Sequence, residues 1–506
     1  MGQKSYKPME FLNRAGHYRF NHLSPHAMLL VSLLMVASSS QISKSSDLPS
    51  SHFLPRLKVS DNTRFLVTED NKPFFWLGDT AWWIRRIAPD DIDLYMSNRA
   101  GHGFNVIQVH PGYNVTNYAD EHPFVNNDTD TPNEAFWKKM DMVVAKAHEH
   151  KLYIALVPMW GNEYGKAFGS DSAKAQSFGR WLGNRYVNHS HVLWIVSGEY
   201  DAINGFKLPI TETQKAVLNA MAQGLRDAHN GKQLMTIHPG VIRTSSKDFH
   251  HEDWLDFNML QSGHIIDCSA YKIPDTDSLI SHDYALTPTK PVLDGEPMYE
   301  DTPDAVWSVK HVNGTRAGAD TMRRKAYWAV FSGACGHTYG HNDVYGFFEP
   351  AFPGQILTLQ TNPSGPGQRG SWKTALDAPG ASQMKHLRYL MESRPFHKCI
   401  PSSELIIGDA GKGLERIVAM QASDGSYGMV YLPTGKSIVV ALDRLAGEKF
   451  NAWWFDPRDG SIKLEGNFDR KPEQEFKPPV SEYGKDCVLV LDDAARNYRL
   501  PRRKNG

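Results

Sequence analysis

Between residues 74 and 343 the chain repeats one pattern: a short apolar run stops at polar residues and gives way to a stretch with helical spacing. Eight such runs are found, at Phe74–Leu77, Val106–Val109, Tyr153–Val157, Leu193–Val196, Leu234–Ile237, Phe257–Leu260, Val292–Leu293 and, less regularly, His337–Tyr339. The clearest intervening stretch is Pro132–His150. There Phe136, Met140, Val143, Val144 and Ala147 recur on one helical face, with Glu134, Lys138, Lys139 and Lys146 on the other. Ser172–Asn188, Thr211–His229 and Arg323–Ser332 read the same way. Apolar runs too short for helices, alternating with amphipathic helices, build βα units, and eight of them close into a (β/α)8 TIM barrel of the α/β class.

Each run ends in residues that a core rejects. In chain order they are Asp79 and Trp82, His110, Trp160, Glu199 and Asp201, His238, Gln261 and His264, Glu296 and Tyr299, then His337 and His341. In a parallel barrel these ends converge on one rim, where active sites are built. Two runs end in Gly-Glu, at Ser197-Gly198-Glu199 and Asp294-Gly295-Glu296. Glycosidic cleavage needs one carboxyl to protonate the leaving oxygen and another to stand beneath the anomeric carbon. In one large class of barrels the proton donor ends strand four and the nucleophile ends strand seven. That assigns Glu199 as acid/base and Glu296 as nucleophile. Retention of configuration then requires the two groups to lie about 5 to 5.5 Å apart.

Asp201, Asp294 and Glu300 compete for these roles. Asp294 is the nearest rival, because two residues along a strand return to the same face. Tyr299 is positioned to bond the nucleophile, and His238, His264, His337 and His341 to bond sugar hydroxyls. Trp82, Trp83 and Trp160 suit stacking on the apolar face of a sugar ring, whereas Trp194, inside strand four, belongs to the core. No metal-ligand spacing, P-loop, dinucleotide fingerprint or Gly-x-Ser-x-Gly elbow is present, so neither a metal nor another cofactor is expected.

The rest of the chain supplies context. Residues 1–40 hold basic residues, a short apolar core His26–Val36 and small residues after it, the layout of a secretory signal too short to span a bilayer. A secreted or periplasmic protein with no membrane insertion after cleavage is expected, with residues 41–54 a disordered linker. The barrel is assigned to 55–396, opened by a hairpin at Leu57–Val67. Residues 397–500 turn to short strands separated by Asp-Gly and Thr-Gly turns, which predicts a small antiparallel β-sandwich. Its strands are read at Leu405–Ile407, Ile417–Met420, Tyr427–Tyr431, Ser437–Ala441, Ala452–Phe455 and Cys487–Leu491. Export would permit a disulfide between Cys399 and Cys487, while Cys335 reads as a buried small residue. A formal net charge of −1 leaves no basic field for nucleic acid or anionic lipid.

Several longer tracts resemble a known family. They are Phe75–Trp82, Gly103–Gln108, Ile154–Gly161, Asn258–His264, Pro291–Glu300 and Tyr327–Gly340, and together they look like the apiosidase-like glycoside hydrolases of family 140, whose barrel was once called domain of unknown function 4038. Asn451–Arg458 is similar to the collagen-binding-type domain that follows such barrels. The resemblance spans roughly residues 55 to 495. It implies an exported, exo-acting glycosidase for plant or algal polysaccharide side chains, its partner an oligo- or polysaccharide. The family pattern at strand four carries aspartate after Gly-Gly, whereas this chain has Glu199 after Ser197-Gly198, which lengthens the proton donor. The alternative reading is a non-catalytic carbohydrate- or collagen-binding protein, and two carboxylates in phase argue against it.

Overall fold

The computed structural model describes residues 54–206, 208–305, 315–350, 367–479 and 485–501. The expected signal sequence and all but the last residue of the expected linker lie outside the described residues. Among the described residues no helix is long and apolar enough to cross a membrane.

The chain opens with three short antiparallel strands, β1 (Leu57–Val59), β2 (Leu66–Thr68) and β3 (Pro73–Phe74), so the expected hairpin gains a third strand. The barrel strands follow as β4 (Trp76–Ala81), β5 (Val106–Val109), β6 (Tyr153–Leu156), β7 (Val192–Ile195) and β8 (Met235–Thr236). After a short β9 (Arg243–Thr244) come β10 (Asn258–Gln261), β11 (Val292–Asp294) and β12 (Gly336–Tyr339). Their lateral order is β8-β7-β6-β5-β4-β12-β11-β10, parallel throughout, with β9 antiparallel on the far edge of β10. Asp256 N–H donates to Met235 O at 2.9 Å and Thr236 Oγ1 to Phe257 O at 2.7 Å, joining the two ends of the sheet into a ring. The eight expected strands are these eight, with ends moved by one or two residues except in β4, which runs on four residues past Leu77 to Ala81.

Side-chain alternation decides which residues see the barrel interior. Trp76, Val106, Tyr153, Ala155, Leu193, Ile195, Met259 and Leu293 share the inner core, while Ile107, Val109, Ile154, Leu156, Trp194 and Met235 pack outward under the helices. The Trp76 indole crosses the barrel and donates to Thr338 Oγ1 at 3.1 Å. It has room because Gly78 and Gly336 flank it: a Cβ at either would lie within 2.6 Å of a Trp76 atom. Helices α1 (Pro89–Gly101), α2 (Glu134–Glu149), α3 (Gly161–Phe168), α4 (Ser172–Tyr186), α5 (Glu212–His229), α6 (Ser246–Phe249), α7 (Thr276–Tyr284) and α8 (Ala319–Phe331) accompany the strands. α5 starts with a capping box, Thr211 to Gln214, and α4 with Asp171 capping Lys174 N–H.

The C-terminal part is a two-sheet sandwich. One sheet has six antiparallel strands, β13 (Cys399–Pro401), β15 (Val418–Ala422), β16 (Tyr427–Leu432), β21 (Cys487–Asp493), β18 (Lys449–Phe455) and β19 (Ile462–Asp469) in lateral order. The other has β14 (Ile406–Ile407), β17 (Ile438–Val440) and β20 (Gln474–Phe476). Their inner faces bury Val430, Leu432, Val440, Phe476, Leu489 and Leu491 against one another. β19 escaped the sequence reading because it is a polar edge strand, KLE exposed in a row.

α8 lies between barrel and sandwich and is buried from Thr321 to Phe331. Arg323 pairs with Asp486 at 2.6 Å, and Arg394, just after the helix Pro379–Glu392, pairs with Asp492 at 2.7 Å, all four side chains being buried. Tyr327 and Tyr431 stack with centroids 4.8 Å apart. The expected Cys399–Cys487 disulfide is not formed. Both thiols are free and buried, and Cys399 Sγ instead lies 2.9 Å from Tyr427 Oη.

Candidate active site

The C-terminal ends of the barrel strands surround a cleft of about 690 Å³, which falls in the size range of small-molecule sites. Its walls include Trp82, Trp160, Glu199, His264, Glu296 and Tyr299.

Glu296 follows β11 after a glycine turn. Gly295 N–H donates to Leu260 O at 2.9 Å, and a Cβ on Gly295 would lie 2.6 Å from Met259 Sδ, so only glycine lets the chain run this close to β10. The carboxylate then meets two histidines, His238 Nε2 at 2.8 Å from Oε2 and His264 Nε2 at 3.1 Å from Oε1. His238 Nδ1 stands 2.6 Å from Pro239 O, which only accepts, so Nδ1 carries a proton. Nε2 faces the Glu296 carboxylate, which favours a proton there as well and draws His238 towards the imidazolium form. Burial works against that charge, but the bond and charge of Glu296 outweigh it and raise the His238 pKa. Burial likewise opposes ionisation of Glu296, and His238 and His264 overcome it, holding the carboxyl at about 2. Trp82 Nε1 donates to Tyr299 Oη at 3.0 Å. Burial and the adjacent Glu296 push the Tyr299 pKa well up, so the phenol remains a donor beside the carboxylate.

Glu199 comes off β7 through Ser197-Gly198. Its backbone is left-handed, φ 39° and ψ 54°, a conformation that costs a non-glycine residue roughly 1–2 kcal/mol. Close packing enforces it. A Cβ on Gly198 would sit 2.2 Å from the Trp160 ring, and one on Gly161 would sit 2.1 Å from Glu199 O. Gly161 N–H donates to Gly198 O at 2.7 Å, tying the ends of β6 and β7 together. Trp160 Nε1 donates to Glu199 Oε2 at 3.0 Å. Burial first, and then the negative charge of Glu296, raise the Glu199 pKa against the smaller opposing effects of His238, Trp160 and Gln261. Two carboxyls in one cleft are thus driven apart, one towards the charged form and one towards the protonated form.

The rival carboxylates are engaged elsewhere. Asp201 bonds Arg243 and accepts from Gly240 N–H at 2.8 Å. Glu300 accepts from Tyr339 Oη at 2.5 Å and Gly380 N–H at 3.0 Å. Asp294 accepts from Ser262 Oγ at 2.7 Å, with burial pushing its pKa up to about 7. The expectation that Asp294 shares a face with Glu296 fails because the strand ends at Asp294. Alternation does not carry across the Gly295 turn.

Four further expectations need correcting. Asp79 is completely buried and points outward, bonded to Tyr95 Oη and 3.6 Å from Arg99 of α1. It lies three residues from Trp76, whose indole fills the barrel interior, so the two cannot share a face of the sheet. His337 alternates with Thr338, whose side chain meets Trp76 inside the barrel, and so faces outward with Tyr339; burial pulls its pKa down to about 3. His341 serves the loop after β12, its Nδ1 accepting from Asp343 N–H at 3.0 Å. Gln261 is fully buried beneath Glu199 rather than in the cleft wall. His110 does line the cleft, with Nδ1 3.0 Å from Val157 O and Nε2 3.1 Å from Glu163.

Glu163 is a cleft residue that the sequence reading missed. It accepts from Trp160 N–H at 2.7 Å and Tyr113 N–H at 3.2 Å. Burial opposes its charge, but His110, the Trp160 N–H and Arg85 bring its pKa down to about 2. The signal was its place three residues after Trp160, at the third position of a helix. Val115, Asn162, Phe206, Val241 and Tyr345 complete much of the wall. Among the described residues no cluster of three or more His, Cys, Asp or Glu is arranged to hold a metal ion.

Residues 60–398 match the family model described as "Apiosidase-like, catalytic domain", and residues 400–492 match "Putative collagen-binding domain of a collagenase". Among solved structures, one named glycoside hydrolase is 31% identical, with a TM-score of 0.77 over 88% of this chain and 98% of that one. A second, a glycoside hydrolase family 5 from Bacteroides vulgatus ATCC 8482, is 31% identical with a TM-score of 0.78, covering 88% of this chain and 94% of its own. No curated protein matches the chain.

Proposed function

The chain belongs to the apiosidase-like catalytic domain family and is a glycoside hydrolase, and on that premise we propose that it is an exported, exo-acting enzyme that cleaves side chains of plant or algal polysaccharides with Glu199 as acid/base and Glu296 as nucleophile. The observation that carries the mechanism is the opposed environment of two carboxyls in one cleft. Glu296 is bonded by His238 and His264 and held at about 2. Glu199 is pushed upward by burial and by Glu296 itself.

The chemistry follows from those states. The Glu296 carboxylate attacks the anomeric carbon and forms a glycosyl ester while Glu199 gives its proton to the departing oxygen. Glu199, now ionised, takes a proton from water, which attacks the anomeric carbon and releases Glu296. Trp82 and Trp160, with centroids 5.2 Å apart, offer apolar surface to a sugar ring. A cleft of about 690 Å³ suits a terminal sugar with its neighbour better than a long chain, which supports exo action. The apolar core and small-residue zone of residues 1–40 support export.

The test is a screen of pectic and algal oligosaccharides, with products identified by mass and by NMR of the newly formed anomer. Release of a pentose with retained configuration is expected. Glu296→Gln should abolish turnover and keep binding, and Glu199→Gln should lower kcat/KM roughly 10²- to 10⁴-fold, less so for good leaving groups. Near-wild-type activity in both variants would sink the assignment, and inversion would remove the nucleophile role from Glu296.

A further inference from the structure

One end of the cleft carries two arginines that no carboxylate among the described residues contacts directly. Arg85 and Arg86 close the 3-10 turn Ile84–Arg86 beyond β4, and both line the cleft. Arg85 is 4% exposed. Its Nη1 donates to His110 O at 2.9 Å and to Trp82 O at 3.4 Å, both neutral carbonyls, and its Nε is buried without a hydrogen-bond partner. The Arg86 guanidinium lies over the Trp83 ring, 4.2 Å from the centroid, and its Nη1 is also buried without a partner. Among the described residues neither arginine forms an ion pair with Asp or Glu within 4.0 Å. Glu163 is the acid that bears on Arg85, but its oxygens are occupied by His110 and the N–H groups of Trp160 and Tyr113.

A buried cation with no carboxylate in contact is costly, and two adjacent ones repel. Burial, followed by the neighbouring Arg86, draws the Arg85 pKa down to about 9. Donors in this condition, facing a cleft of ligand size, are complementary to an anion brought by the ligand. A guanidinium fork matches the planar or tetrahedral oxygens of carboxylate and sulfate.

We propose that Arg85 and Arg86 form a subsite for an anionic substituent of the saccharide, either a carboxylate or a sulfate ester. The proposal rests on the glycoside hydrolase reading of the cleft and adds a charge requirement to it. The Glu296 carboxylate would repel such a group, so the arginine end fixes which way round the substrate sits.

The experiment is calorimetric titration of the full chain carrying Glu296→Gln with methyl glucoside, methyl glucuronide and glucose 6-sulfate at low salt. At least one anionic sugar should bind roughly ten- to a hundredfold more tightly than the neutral one, the range of a charged hydrogen bond. Which anion gains more identifies the substituent, and the gain should shrink as salt rises. Adding Arg86→Gln should bring anionic binding down to the neutral level, while Arg86→Lys retains part of the preference. Among the described residues Arg86 donates no hydrogen bond, so its replacement is expected to fold, as a melting curve would verify. Equal binding of all three sugars, binding of none, or a preference that survives Arg86→Gln overturns the proposal. Turnover plays no part in this readout: failure of the two-carboxylate mechanism would appear in the Glu199 and Glu296 variants, and failure of the subsite here.

Discussion

Replacing His238 by glutamine isolates the charge that holds Glu296 ionised. Glutamine keeps a donor near Glu296 Oε2 but removes the imidazolium that stands 2.8 Å away. The fall of Glu296 from 4.5 to about 2 amounts to roughly 3 kcal/mol at about 1.4 kcal/mol per pH unit. His238 is the stronger of the two histidines acting on it, so a loss of about 1 to 2 kcal/mol is expected.

The pH dependence is specific. Glu296 is depressed on folding, so its contribution is complete above pH 4.5 and is lost as pH falls towards 2. His238 is raised, so its contribution is complete below pH 6.5 and is lost as pH rises through its folded value. The stability gap between wild type and His238→Gln should therefore be widest between pH 4.5 and 6.5 and narrow on both sides. Urea unfolding at a series of pH values measures the gap. The acid limb of kcat/KM should also move up by about one pH unit, as Glu296 becomes easier to protonate. A gap that stays constant from pH 3 to 8, or an unmoved acid limb, would refute the ion pair.

Two further outcomes follow from the same geometry. Trp160→Phe removes the 3.0 Å bond that favours ionised Glu199, so the basic limb of kcat/KM should shift to higher pH, with a loss in rate as the carboxyl loses its anchor; an unmoved limb would deny that the bond exists. Asp486→Ala leaves Arg323 buried without its carboxylate between barrel and sandwich, and should cost about 3–5 kcal/mol, read as a lowered Tm or early detachment of the sandwich in limited proteolysis. Unchanged Tm and protease resistance would mean that the sandwich does not brace the barrel through this pair.

Much of the barrel was legible because buried parallel strands must be apolar on both faces and must end abruptly where the rim begins. Val106–Val109 and Val192–Ile195 announce themselves in this way. Glu199 and Glu296 were legible because each follows such a run through a glycine. Asp79 was misread although the correction lay within the same tract: Trp76 and Asp79 are an odd number of residues apart on β4, so one of them must face the helices. Glu163 was overlooked because the reading stopped at strand ends, and this residue sits one turn into the helix that follows. Strands such as Ile462–Asp469 were illegible because an exposed edge strand needs no apolar alternation.

The Lys290–Glu300 tract shows where the division falls. The order of apolar runs and glycine turns, a local property of the chain, determined that a carboxylate would stand at the end of the seventh strand. Whether Asp294 or Glu296 would be that carboxylate was decided by closure of the barrel. Closure brings His238 and His264, 58 and 32 residues away along the chain, against Glu296 and leaves Asp294 bonded to Ser262. Periodicity is written in neighbouring residues, but a pKa depends on charges and burial that only folding brings together.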